Sequence, residues 1–164
     1  MKILQYPDER LRYPSKELYI TKGLMAPGLD LIGERLYKTM IAENGIGLAA
    51  IQVGLDIRMF VTSLPFPHKI ILNPKWEPSP SGFEYARMEG CLSFPGWLVP
   101  VKRFDAIKAS YYNVEGKQVK LNLKGLAAQV FQHETDHLSG ILLIDYLSEA
   151  QKATIDAAIA ARSE

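Results

Sequence analysis

The stretch QHETDHLSG, residues 132–140, holds two histidines and a glutamate in a spacing that suits metal chemistry. His133 and His137 are four apart, so on a helix they project from one face, a single turn apart. Two imidazoles so placed can take two corners of a metal site, while Glu134 can reach a water at the metal instead of binding the metal. The bland alternative is a solvated helix face. Catalytic sites of this kind take three protein ligands and leave one position open. The third has two candidate sources. Downstream, no histidine follows His137, and Glu149 and Glu164 are the only later glutamates. Upstream, Cys91 sits in the glycine-flanked MEGCLSFPG, and a thiolate is an excellent ligand for iron or zinc. A further stretch, NGIGLAAIQVG at 44–54, offers Gln52 as an amide in an apolar run, with Gly45 and Gly47 permitting close backbone approach. It lacks the P-loop lysine and the full dinucleotide glycine pattern, which argues against phosphate binding.

The elements that position these residues follow from periodicity. PGLDLIGERLYKTMIAENG predicts an N-terminal helix with Leu31, Ile32, Tyr37, Met40 and Ile41 as its apolar stripe and Gly45 as a stop signal. The middle of the chain changes period. DIRMFVTSL, HKIILNPKW, SGFEYARME, WLVPVKR, DAIKASYYNVEG and KQVKLNLKG read as short strands, with a hairpin turn at NVEGK. From Gly125 the period is helical again, running to Gly140 as a C-terminal stop. Ser148 can cap a last helix through about Arg162. Strands grouped between helices predict an α+β fold: mixed, mostly antiparallel short strands around a central metal-binding helix, with an N-terminal helix and a short C-terminal one.

The chain has 164 residues, 48% of them hydrophobic and 23% charged, which fits a single domain spanning 1–164. PSPSG at 78–82 is the strongest turn cluster, too short for a linker. A net charge of +1 makes no claim on DNA or an anionic membrane. No apolar run approaches the roughly 20 residues of a membrane span, and charges and prolines interrupt the first residues, so a cytoplasmic protein is expected. The lone cysteine excludes an intrachain disulfide.

Three stretches, GIGLAAIQ (45–52), EGCLS (89–93) and QHETDHLSG (132–140), resemble the three motifs of the peptide deformylases, in that order and at similar separations. YPDERLR, ILNPKW and IDYLS also resemble that family. The resemblance implies a metallohydrolase that removes the formyl group from the N-terminal formyl-methionine of nascent polypeptides, releasing formate. It makes Cys91, His133 and His137 the metal ligands and Glu134 the general base and acid. It implies that the Gln52 side-chain amide and the Leu92 backbone N–H donate to the formyl oxygen. Iron(II) is the implied native metal, with Zn2+, Ni2+ or Co2+ possible in preparations.

The same resemblance places the substrate backbone beside Gly45, Ile46 and Gly47 and the strand through Gly90, adding one strand to the sheet. The glycines there would keep the approach clear. Leu126, Gln129 and Val130, on the face of His133, would shape the methionine pocket. Glu89, Arg103 and Asp136 are expected to support the ligands, with Asp136 equally placed for a plain helix surface. Three features depart from the family pattern: a polar Gln129 in the pocket, Trp97-Leu98 where some members have an arginine, and a weakly basic tail. With so few cations, ribosome binding through that tail is expected to be weak or absent. Two other readings stand beside this one: an H-E-x-x-H metallopeptidase cleaving peptide bonds with Glu149 as ligand, and a non-catalytic metal-binding protein.

Overall fold

The computed structural model describes residues 1–20 and 27–161. After a 3-10 turn at Glu9–Arg12 comes helix α1 (Leu29–Ala42), then strands β1 (Gly47–Ala49), β2 (Met59–Thr62), β3 (Ile70–Pro78), β4 (Glu84–Cys91), β5 (Phe94–Phe104), β6 (Ala106–Tyr112) and β7 (Gln118–Lys124). Helices α2 (Gly125–His137) and α3 (Glu149–Ala161) follow, separated by a 3-10 turn at Leu143–Tyr146. The fold is α+β. Five strands form one sheet in the order β1-β2-β3-β6-β7, and β4-β5 form a separate hairpin. Every pairing among the described residues is antiparallel, so the expected mixed pattern resolves to its antiparallel limit.

Alternation of side chains along the strands sorts the core into layers. In β2, Phe60 joins the cluster around α2, with Ile71, Ile107, Tyr111 and Phe131, while Met59 and Val61 join the cluster around α1. This strand is therefore buried on both faces, between two helices. In β6, Ile107, Ala109 and Tyr111 face α2, and Lys108 on the opposite face is exposed. A third cluster joins the β4-β5 hairpin to both ends of the described chain: Phe94, Val99 and Val101 pack with Leu4, Leu11, Leu143 and Ile155.

The helices differ from expectation in detail. The buried stripe of α1 is Leu29, Gly33, Leu36 and Met40, whereas Leu31 and Ile41 are 66% and 47% exposed. Spacings of four, three and four keep the first set on one face, and Leu31 and Ile41 fall off it. Asn44, not Gly45, takes the left-handed turn after the helix, at φ 56°. Gly140 ends the turn after α2 at φ 75°, and a Cβ there would lie 2.3 Å from the Arg12 carbonyl oxygen. Ser148 caps α3, its Oγ accepting from Gln151 N–H at 3.4 Å. Arg162, the expected end of that helix, lies outside the described residues.

Phe131 is fully buried, edge-on to Phe60 at a centroid distance of 5.3 Å. Its truncation opens a cavity between helix and sheet. We expect Phe131→Ala to lower unfolding free energy by about 3–5 kcal/mol in denaturant titration. A loss below 1 kcal/mol would show that α2 is not held by this cluster.

Candidate active site

Helix α2 lies on the sheet with one face toward the hairpin, and three polar contacts tie the two together. The Gln132 side chain accepts from the Phe104 N–H at 3.1 Å and donates to the Phe104 carbonyl at 2.8 Å. His133 Nδ1 meets Glu89 Oε2 at 2.9 Å. Asp136 receives Arg103 Nη1 at 2.5 Å and the Tyr146 hydroxyl at 2.6 Å. Asp136 is thus half-buried and tied into a polar network, not a plain helix-surface residue.

Glu89 and Cys91 are two apart on β4, which brings them to one face of the strand. The hairpin register shifts between Glu89 and Cys91, a bulge of the sort that re-aims side chains near functional sites. It delivers Cys91 Sγ to 3.1 Å from His137 Nε2, which is itself 3.2 Å from His133 Nε2. The three ligand atoms all lie within 4.8 Å of one another. Metal–nitrogen bonds of about 2.0–2.1 Å at a tetrahedral angle separate two imidazole nitrogens by roughly 3.4 Å, close to what is found here. The hydrogen bond to Glu89 occupies His133 Nδ1 and leaves Nε2 facing its neighbours, the orientation metal-binding histidines adopt. The donor set fits a divalent ion. Glu149, the alternative third ligand, is not among these groups: its side chain is exposed and pairs with Lys152 at 2.8 Å.

The electrostatics agree. Burial, with the neighbouring His133 and Arg103 charges, lowers His137 well below the usual histidine range and keeps it neutral. Burial would also lower His133, but its contacts with Cys91 and Glu89 raise it well above that range, so a metal would displace a proton there. Burial pushes Glu134 up to about 7. A cation among the ligands would favour its ionised form. Glu134 Oε2 is buried with no hydrogen-bond partner among the described residues. Burial opposes ionisation of Glu89 too, yet hydrogen bonds from His133 and Arg103 hold it down at about 2.

A cleft of about 720 Å³ opens over these groups. Gly45, Ile46, Gly47, Gln52, Gly90, Cys91, Leu92, Leu126, Gln129, Val130, His133 and Glu134 line it, and His137 is buried behind. Two strand edges flank it: β1, the last strand of its sheet, and β4, which pairs only with β5. The Leu92 N–H, in the turn between β4 and β5, makes no hydrogen bond among the described residues. Gln52 is held by Ala49 N–H, which donates to its Oε1 at 2.8 Å, so its Nε2 turns to Ser93 Oγ at 3.0 Å and Cys91 Sγ at 3.5 Å. The two glycines have a close intrachain contact beside the expected role. A Cβ on Gly47 would sit 2.2 Å from Glu134 Oε1, and one on Gly45 would sit 2.8 Å from Leu92 Cδ1. Gly47 is thus packed against the Glu134 side chain, and Gly45 against the end of the Leu92 side chain. Ser93, Gln132, Tyr146 and Met88, a cleft-lining residue, had no expected role, although Ser93, Gln132 and Tyr146 fall within EGCLS, QHETDHLSG and IDYLS.

The polypeptide deformylase family model matches residues 1–153. The chain belongs to this family. It is 41% identical over 156 residues to a peptide deformylase of Helicobacter pylori, covering 90% of this chain and 86% of that one. The crystal structure of the Ehrlichia chaffeensis peptide deformylase superposes with a TM-score of 0.87 at 28% identity, covering 99% and 96% of the two chains. That of the Legionella pneumophila enzyme gives 0.85 at 33% identity, covering 95% and 90%. Like its relatives, this deformylase is a metal-dependent hydrolase that removes the N-formyl group of nascent polypeptides, and it acts on formylated peptides. Among its described residues no helix is long and apolar enough to cross a membrane.

Two outcomes follow from this geometry. Gly47→Ala drives a methyl group into Glu134 and should cut formate release by about 100-fold or more with metal content unchanged, a loss typical of a misplaced acid–base group. An undiminished rate would contradict the close contact. In metal-free protein, the depressed Glu89 stabilises the fold above its unfolded value of about 4.5, and that stability is lost as pH falls toward 2. Glu89→Gln should therefore flatten the acid limb of a stability–pH curve over that window, and an unaltered limb would contradict the assignment.

Proposed function

We propose that residues 1–164 form one catalytic domain in which Cys91, His133 and His137 hold a divalent iron and Glu134 moves the protons of deformylation. The observation that carries this reading is the cluster of one sulfur and two imidazole nitrogens, with a carboxylate oxygen of Glu134 buried nearby that has no partner among the described residues. A thiolate beside two imidazoles suits Fe2+, and the same donors also take Zn2+, Ni2+ or Co2+. The bound ion supplies Lewis acidity, which brings the pKa of water toward neutrality.

Glu134 accepts the proton of the attacking water as the new C–O bond forms at the formyl carbon. Gln52 Nε2 and the Leu92 N–H donate to the formyl oxygen as its negative charge grows, and loss of one such donor typically costs about 100- to 1,000-fold in rate. Glu134 then returns its proton to the amine nitrogen. The C–N bond breaks, and formate leaves with a free peptide N-terminus. The peptide lies extended between the free edges of β1 and β4, along Ile46 and Gly90. Its first side chain enters the part of the cleft lined by Leu126, Gln129 and Val130. The reading gives α3 no RNA contact: Lys152 is the only cation within Glu149–Ala161, and it is paired with Glu149.

Formate release from formyl-Met-Ala-Ser by anaerobically prepared, iron-loaded protein tests the reading. Cys91→Ala should lose metal and activity together. Glu134→Gln should keep the metal and lose at least about 100-fold in rate. Glu149→Ala should leave both intact. Metal and activity that survive Cys91→Ala but not Glu149→Ala would replace this reading with a peptidase one.

A further inference from the structure

Besides the exposed Gln5, three glutamines stand at or beside the cleft, and two are held by hydrogen bonds. Gln52 is fixed by Ala49 and Ser93, and Gln132 by Phe104 and the Ala128 carbonyl. The third, Gln129, is 9% exposed and lies on α2 one turn before His133. No hydrogen bond to its amide is found among the described residues, and the cleft wall is where it surfaces. Neither of its amide atoms is among the fully buried side-chain atoms without a partner, so the amide end meets the solvent of the cleft and its donors are open to a ligand there. Beside it, Leu126, Val130 and Ile46 give the wall the apolar surface a hydrocarbon side chain needs.

We propose that Gln129 is a specificity residue whose amide hydrogen-bonds the oxygen of an oxidised first side chain, so that the site also deformylates peptides beginning with formyl-methionine sulfoxide. This rests on the reading that the first side chain enters beside Leu126, Gln129 and Val130. A thioether sulfur is a weak acceptor and leaves the amide donors unmet. Oxidation to the sulfoxide places a polar oxygen at the same point along the chain. A wholly apolar wall excludes that oxygen because it would lose its water without replacement. The Gln129 Nε2 donates to it instead, while the methylene groups keep their contacts with Leu126, Val130 and Ile46. The sulfoxide is not consumed. The formyl group leaves as formate, and the product carries a free N-terminal methionine sulfoxide.

The test compares kcat/KM for formyl-Met-Ala-Ser, its sulfoxide and formyl-norleucine-Ala-Ser, using iron-loaded wild-type, Gln129→Leu and Gln129→Met protein. Wild type should process the sulfoxide within about tenfold of norleucine, and that ratio should fall by about tenfold or more in both variants. Titration of the same peptides into Glu134→Gln protein should give the same preference as affinity, without turnover. A wild type that cleaves the methionine and norleucine peptides but neither binds nor cleaves the sulfoxide overturns the proposal alone, as does a ratio unchanged by the variants. No formate from any of the three peptides with wild type overturns the deformylation reading and this proposal with it.

Discussion

The buried carboxylate of Glu89 is the interaction on which the rest of the site depends. Arg103 binds it with both Nε and Nη2 at 3.0 Å, and His133 Nδ1 meets it at 2.9 Å. Removing one member of so buried a set would strand the others without water or counter-charge. Arg103 is satisfied only because Asp136 and Tyr146 take its remaining arm. The orientation of His133, and through it the position of the metal ligands, is therefore set by a network that runs from β4 through β5 to α2 and the 3-10 turn beyond it.

The network also explains how two separate structural units make one site. The hairpin carries the Cys91 sulfur, the helix carries both imidazoles and the Glu134 carboxylate, and neither alone gathers the three-atom cluster. Gln132 fixes the helix against the end of β5, and the aromatic contact of Phe131 with Phe60 seats it on the sheet. Glu134 is then confined against Gly47, where β1 forms the other wall of the cleft. The price of such close packing is intolerance: the position facing Glu134 accepts no side chain.

Much of this was legible in the sequence where periodicity or spacing is local. The helix bearing His133 and His137, the alternation through β6 and β7, and the cap at Ser148 each follow from residues within a few positions of one another. The motifs also named the three residues, Cys91, His133 and His137, that the fold gathers into one cluster. What stayed hidden depends on distant partners. Gly47–Ala49 is too short and too apolar to announce itself as a strand, and it becomes one only by pairing with β2. The stripe of α1 was misjudged because Leu31 and Ile41 are as apolar as the residues that are buried. Arg103, expected as a support, takes partners 14 and 33 residues away, and Gln132 one 28 residues away, so the pairing itself emerges only from the fold. The glycines are places of close approach, and the contacts that Glu134 and Leu92 make there come from distant parts of the chain.

The central claim is that one thiolate and two imidazoles, drawn from separate units, bind a single ion. X-ray absorption on zinc-loaded protein addresses it directly. The account expects one sulfur at about 2.3 Å together with nitrogen ligands at about 2.0–2.1 Å. A shell containing only nitrogen and oxygen would remove Cys91 from the metal and contradict the account.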